Sequence, residues 1–369
     1  MTATPRLRIL ADDLTGALDC AAAFGAGVPV HLGQPGGTDT AGIDIVATAS
    51  RDVPVSDLPV LLQASVRWLA EADIAFKKVD SLLRGNTLDE VDWLARQAGF
   101  AGLAMVPAFP AQHRLTEGAQ QWWQKPDGSR SAVATSLREG LQARGWRVVT
   151  EPALPTANAD TDASLVAWVP DVLDDTRLDA VAASALPSSR WLWCGSAGLA
   201  HALARRLPAR PAPAANPTRT GAVMLVSASH HAVSRAQWQV LRQARPDPCH
   251  AGEDPRSLQV DAAHYPTLID LCAHGQLTRQ QAADLLHAQA QAIATHAPRP
   301  RTLVVVGGDT LLALCQALGA TGLQSEVALN RPGWGCARMV GGRWDGLVCH
   351  TRSGAFGGPQ DLLDVLASV

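Results

Sequence analysis

The segment Ile9-Leu10-Ala11-Asp12-Asp13-Leu14-Thr15-Gly16-Ala17-Leu18 constrains the fold most. An apolar run there empties into two carboxylates, a hydroxyl and a glycine just before a helical pattern begins. Arg6 to Leu10 alternates as a strand does, whereas Leu14, Ala17, Leu18, Ala21, Ala22 and Phe24 recur at helical spacing. Asp12 and Asp13 therefore fall at the turn, and ligands of open α/β sheets bind beyond the carboxyl ends of strands. Asp13 or Thr15 could simply cap the helix. Two adjacent acids, however, carry a like-charge cost that a cation or polar ligand must offset, which marks the pair as candidate functional residues.

The same pattern repeats. Asp44 to Ser50, Ile74 to Val79, Gly102 to Val106 and Trp191 to Cys194 read as strands with amphipathic stretches between them. That alternation predicts an α/β fold with mostly parallel sheets. The helix after Asn86 carries Leu88, Val91, Leu94 and Ala95 on one face, and the helix ending near Arg206 carries Leu199, Ala202 and Leu203. The stretch 207–220 is proline-rich and lacks periodicity, so it reads as a semi-rigid linker. It separates a first domain, 1–206, from a second, 221–369, whose strands are Gly221 to Val226, Thr302 to Val306 and Gly346 to Cys349. Two α/β domains joined in this way are expected to hold a ligand cleft between them.

A chain of 369 residues with a formal net charge of −3 gives no electrostatic reason to expect nucleic acid or a membrane as partner. Assembly into a homo-oligomer stays open. Seven cysteines without a Cys-x-x-Cys pair indicate neither a disulfide framework nor a thiolate zinc site, so reduced core thiols are expected. With no run of signal-peptide or bilayer-spanning character, a cytoplasmic location is the default expectation.

Lys77-Lys78-Val79-Asp80-Ser81-Leu82-Leu83-Arg84-Gly85-Asn86 is a second strand emptying into polar residues. Arg84 is suited to grip a carboxylate with two parallel hydrogen bonds, although an ordinary solvated loop would look the same. Val106 to Arg114 sets two prolines before Gln112, His113 and Arg114, which could line a polyol or anion site. Cys194 to Leu199 is a small-residue turn that packing explains equally well. In the second domain, Val306-Gly307-Gly308-Asp309-Thr310 has the form of a strand, a glycine turn and a helix N-terminus, where phosphate is the natural guest. Similar turns follow at Ala228 to Ser234 and Arg352 to Gly358. No Walker A ending or dinucleotide fingerprint is present. Together the three turns read as a nucleotide cradle, with the carboxylates and Arg84 left for the other substrate, an arrangement suited to group transfer.

Ala11-Asp12-Asp13-Leu14-Thr15-Gly16-Ala17 and Lys78 to Asn86 resemble the two opening signatures of the four-carbon acid sugar kinases. Pro107 to Pro110, Gly195 to Leu199, Gly307 to Thr310, Pro332-Gly333 and Ser353 to Gly357 are similar to later blocks of that family in the same order. The resemblance implies an N-terminal acid-sugar-binding domain and a C-terminal ATP-binding domain. It also implies phosphorylation of a terminal hydroxyl on threonate, erythronate or an oxo-tetronate. The chain departs from the family pattern where Ala228 replaces a glycine, Arg352 a lysine, and Leu82 or Leu83 a threonine. Altered phosphate contact at Arg352 is one expected consequence.

On this reading Arg84, Ser81 and Asn86, with Lys78 and Gly85 in the same pocket, hold the acid sugar. Asp12 orients or deprotonates its hydroxyl, with Asp13 or Asp80 in reserve. Ser229, Gly307, Gly308, Asp309, Thr310 and Gly354 hold ATP, and Mg2+ keeps several waters while bridging nucleotide oxygens. Two rivals remain: a non-catalytic acid-sugar-binding or sensor protein of the same fold, and a dehydrogenase with a variant dinucleotide site.

Overall fold

The computed structural model describes residues 5–36, 42–125, 127–155, 165–185, 190–207, 222–245, 249–251, 266–272, 275–327 and 333–369. Of the expected linker only Leu207 is among them, and Gly221 and Pro332 also lie outside the described residues. The chain forms two compact units, one of 1–24 and 28–211 and one of 25–27 and 212–369.

In the first unit the elements run β1 (Leu7–Ala11), α1 (Leu14–Ala23), β2 (Pro29–Leu32), β3 (Ile43–Ala47), α2 (Leu58–Ala70), β4 (Ile74–Lys78), α3 (Thr87–Ala98) and β5 (Gly102–Val106). They continue with β6 (Arg114–Glu117), β7 (Gln120–Gln124), β8 (Arg130–Ala132), α4 (Leu137–Gln142), β9 (Arg147–Val149), β10 (Val166–Trp168), α5 (Asp175–Ala183), β11 (Trp191–Gly195) and α6 (Ala197–Ala204). The strands pair in the order β2-β3-β1-β4-β11-β5-β10-β9, every pair parallel. Strands β1, β3, β4, β5 and β11 are buried along their whole length, as apolar strands of a parallel sheet covered on both faces must be. Leu58, Leu62 and Leu69 of α2 and Leu88, Val91 and Leu94 of α3 share one core with Leu10, Val46, Leu103 and Leu192. Helix α1 packs on α6, and α6 on α5.

The expected strand Asp44 to Ser50 ends at Ala47 because Ala49 turns to a φ of 56° while Thr48 Oγ1 donates to the Ala11 carbonyl. The sequence also gave no notice of an antiparallel ribbon β6-β7-β8 that leaves after β5. Its strands are short and its glutamine-tryptophan run does not alternate cleanly.

The second unit contains β12 (Val223–Ser227), α7 (Ala232–Ala244), β13 (Cys249–Ala251), β14 (Thr267–Asp270), α8 (Arg279–His296), β15 (Thr302–Val306) and α9 (Gly308–Ala317). After these come β16 (Gly322–Ser325), β17 (Gly335–Val340), β18 (Val348–Arg352) and α10 (Asp361–Leu366). Strands β13-β14-β12-β15-β18 are parallel neighbours, and β17 and β16 continue the order antiparallel. The strand expected from Gly346 starts at Val348, since Gly346 takes a φ of 76° in the turn before it. Among the described residues Cys20, Cys194, Cys315 and Cys349 are buried free thiols.

Candidate active site

In the first unit, Ala11 is in register with Ala47 and Lys78, and Gly195 with Lys78 and Val106. The loops that begin at Asp12, Thr48, Val79, Pro107 and Ser196 therefore leave the sheet along one edge. Helices α2 and α3 pack together, as do α1 and α6. The crossovers after β1 and β4 thus depart toward opposite faces, and a crevice opens where neighbouring strands diverge in this way.

Five charged side chains meet there. Arg51 grips Asp12 with a fork, Nε to Oδ2 at 2.7 Å and Nη2 to Oδ1 at 3.1 Å, and Nη2 also reaches Asp13 Oδ1 at 2.7 Å. Lys78 Nζ donates to the same Asp13 oxygen at 2.8 Å and stands 3.6 Å from Asp12. Arg51 lies 3.9 Å from Asp80. Gly16 is required by this packing, because a Cβ there would collide with the Lys78 ammonium. Burial alone would push the Asp12 carboxyl up, but Lys78, Lys77 and Arg51 outweigh it and hold Asp12 well below the usual carboxylate range. Lys78 is likewise desolvated, yet Asp13 and Asp12 raise it above an ordinary lysine. Asp12 is thus ionised and Lys78 charged.

The loop after β4 closes on Asp80. Its Oδ2 accepts from the Leu82 amide at 3.0 Å, and the Arg84 fork engages both oxygens, Nε at 3.0 Å and Nη2 at 2.6 Å. Burial opposes the charge on Asp80, but Arg84, Arg51 and Lys78 hold its carboxyl below the ordinary value. Arg84 therefore presents its two-pronged edge to Asp80, four residues earlier, and its side chain is 66% exposed. Leu83 takes a φ of 57° and Gly85 one of 77°, and a Cβ on Gly85 would strike the Arg51 carbonyl. The Asn86 amide donates to the carbonyls of Ser50 at 3.2 Å and Val53 at 2.7 Å, so it fastens this loop to the one carrying Arg51. Beneath both, Lys77 and Glu90 form a fully buried ion pair at 2.6 Å, with Ser50 Oγ donating to Glu90.

The Ser81 carbonyl accepts from Gln121 Nε2 of β7 at 2.8 Å. The same amide reaches the Pro107 carbonyl at 3.3 Å, and Gln121 Oε1 accepts from Thr116. The ribbon thereby clasps the loop after β4 to the loop after β5. Arg114 opens β6 at the end of that second loop, and His113 before it takes a φ of 59°. The small-residue block after β11 is a packing device: Ser196 Oγ donates to the Ala108 carbonyl at 2.9 Å, and a Cβ on Gly198 would stand 2.8 Å from that oxygen. Arg51 and Gln121 were missed by the sequence reading. Ser50-Arg51-Asp52 shows the same apolar-to-polar transition as the other loops, whereas Gln121 carries no such signal.

In the second unit Ser227, Val306 and Arg352 are in register across β12, β15 and β18, so the three candidate loops leave neighbouring strands side by side. Gly307 takes a φ of 108° and donates to the Arg352 carbonyl, and no side chain caps α9, whose first turn contains Asp309 and Thr310. Ser234 Oγ donates to the Gly354 carbonyl at 2.7 Å, and a Cβ on Gly354 would overlap Ser229 Oγ. Gly308 opens α9 beside these residues. Arg352, where an altered phosphate contact was expected, has a buried side chain bonded to Asp361 and to Gln237 and lying 4.8 Å over Trp334. It fastens α10. No group of three His, Cys, Asp or Glu side chains among the described residues is arranged to hold a metal, and no described helix is long and apolar enough to cross a membrane.

The chain is an α/β protein of two units, one with a loop edge dense in paired carboxylates and cations and one with a glycine- and hydroxyl-lined loop edge. Residues 7–142 match the family described as the sugar-binding N-terminal domain. The chain is 29% identical to a D-threonate kinase of Bordetella bronchiseptica over 97% of this chain and 96% of that one. It is 30% identical to a D-threonate kinase of Cupriavidus necator over 88% and 89%. A 3-oxo-tetronate kinase of Burkholderia multivorans is 27% identical over 96% and 95%. A solved Haemophilus influenzae protein of the DUF1537 family shares the fold with a TM-score of 0.66 at 18% identity, covering 98% of this chain and 99% of that one. The chain belongs to the four-carbon acid sugar kinase family.

Proposed function

We propose that this chain is an ATP-dependent kinase that phosphorylates a terminal hydroxyl of a four-carbon acid sugar: threonate, erythronate or an oxo-tetronate. The observation that carries the reading is the pairing of two chemically different loop edges. One offers ionised carboxylates among fixed cations, and the other offers an uncapped helix N-terminus with adjacent glycines and hydroxyls. Phosphoryl transfer asks chiefly for positioning and charge neutralisation, which such edges supply. The names of the relatives support the substrate class.

The residues divide the work as follows. Asp12 has both oxygens engaged by Arg51 and lies well below the usual carboxylate range, so it fixes Arg51. Asp13 engages its cations through Oδ1 only, and its Oδ2 receives and orients the attacking hydroxyl. Asp80 holds Arg84 at the rim, and Lys78 neutralises negative charge beside Asp13. For the nucleotide, the unblocked first turn of α9 and the glycine at φ 108° fit phosphate oxygens approaching the backbone. Ser229, Gly307, Gly308, Asp309, Thr310 and Gly354 would hold them. A Mg2+ bound together with the nucleotide would neutralise phosphate charge there.

The test is a coupled ADP-release screen over the threonates, erythronates and oxo-tetronates, with five- and six-carbon acids as controls. ADP release stimulated by a four-carbon acid is the expected result. Tight binding of such an acid with no nucleotide turnover would overturn the kinase reading in favour of a sensor.

A further inference from the structure

Resting on that substrate reading, we infer that Arg114, rather than Arg84, is the residue that receives the carboxylate of the acid sugar and so selects acids over neutral polyols. Of Arg51, Lys78, Arg84 and Arg114, three already face carboxylates. Arg51 is forked on Asp12, Lys78 is paired with Asp13, and Arg84 is forked on Asp80. Arg114 has no ion pair among the described residues. One Nη donates to the Gln112 carbonyl at 2.8 Å, and the guanidinium lies 5.3 Å from the centre of the Trp123 ring. Its Nε is buried with no hydrogen-bond partner.

A buried N–H of a charged group without an acceptor is costly, and a bound carboxylate that accepted from Nε and an Nη would remove that cost. The Trp123 ring beside the guanidinium restricts the freedom that a ligand would have to order. The position is also right. Gln121 ties the carbonyls of Ser81 and Pro107 together, which sets the loop bearing Arg114 beside the loop bearing Asp80. Burial and the Arg84 charge lower the proton affinity of Arg114 while Asp80 opposes them, which puts all three groups in one electrostatic neighbourhood.

The experiment uses the full chain without nucleotide. Calorimetry measures binding of D- and L-threonate and D- and L-erythronate, with threitol and erythritol as neutral counterparts, to the wild type, Arg114→Ala, Arg114→Lys and Arg84→Ala. The tightest-binding acid should lose about 10- to 100-fold in affinity with Arg114→Ala while the tetritols are unchanged, as loss of a charged hydrogen-bonding partner predicts. Arg114→Lys, which keeps charge and stem over Trp123 but has no fork, should recover only part. Arg84→Ala should cost less than Arg114→Ala. Unchanged acid affinity in Arg114→Ala, or equal losses for acid and tetritol, would overturn the assignment. Acid binding that depends on Arg114 without ADP release would overturn only the kinase reading.

Discussion

The two loop edges present polar groups in opposite ways. The first is built from side chains: Asp12, Asp13, Asp80, Arg51, Lys78 and Arg84 neutralise one another across three loops, and the backbone beneath is bent to suit, with Ala49, Leu83 and His113 all at positive φ. The second is built from main chain: a glycine turn, an uncapped helix start and hydroxyls that bond to carbonyls. Side-chain sites discriminate by shape and charge of the partner, whereas amide sites bind any phosphate presented to them. The acceptor side should therefore be the sharper in specificity and the more fragile to substitution.

The most severe test of that contrast is Asp13→Asn. It should lower kcat by about 10²- to 10⁴-fold, the range for removal of a group acting on the reacting proton, with the KM for ATP nearly unchanged. Equal kcat would remove Asp13 from the reaction and return the role to Asp12 or Asp80. Next in size, Arg51→Ala strips the fork from Asp12 and a partner from Asp13, and should cost about 3 to 5 kcal/mol of unfolding free energy by denaturant titration, as for breaking a buried pair.

The pH dependence sharpens the same point. Asp12 and Asp80 lie below the ordinary 3.8 in the folded state, so the stability they confer is complete above that value and fades as pH falls through their folded values. Wild-type stability should not respond to these groups between about pH 7 and 5 and should fall below about pH 4, and the fall should be shallower in Arg51→Ala. The smallest effect is expected on the other edge. Gly307→Ala, strained by its φ of 108° and crowded by Thr310, should raise the KM for ATP about tenfold while leaving the KM for the acid alone. A larger effect on the acid would break the division of labour between the units.

Much of this was readable in the sequence because burial on both faces leaves parallel strands as apolar runs, and such runs end where polar loops begin. Gly102 to Val106 and Thr302 to Val306 are strands with the expected bounds, and the loops at Asp12, Asp80 and Gly307 fall at strand ends. What the sequence hid was pairing. Nothing in a linear reading couples Arg51 to Asp12 across 39 positions, and the backbone turns at Ala49, before the end of the expected strand. The spacing of four between Asp80 and Arg84 allows the fork that forms, but the spacing alone does not announce it. Arg352 turns inward because Asp361, Gln237 and Trp334 surround it in a way that only the fold assembles.

Gln121 has a consequence for how such a protein diversifies. One amide on a small ribbon ties together two otherwise separate loops, those after β4 and β5. Lengthening or shortening the ribbon's hairpins would shift that spacing without altering any residue that meets a ligand. Selection for a longer or differently branched acid would then leave its trace in the turn residues of the ribbon before it altered the charged residues themselves.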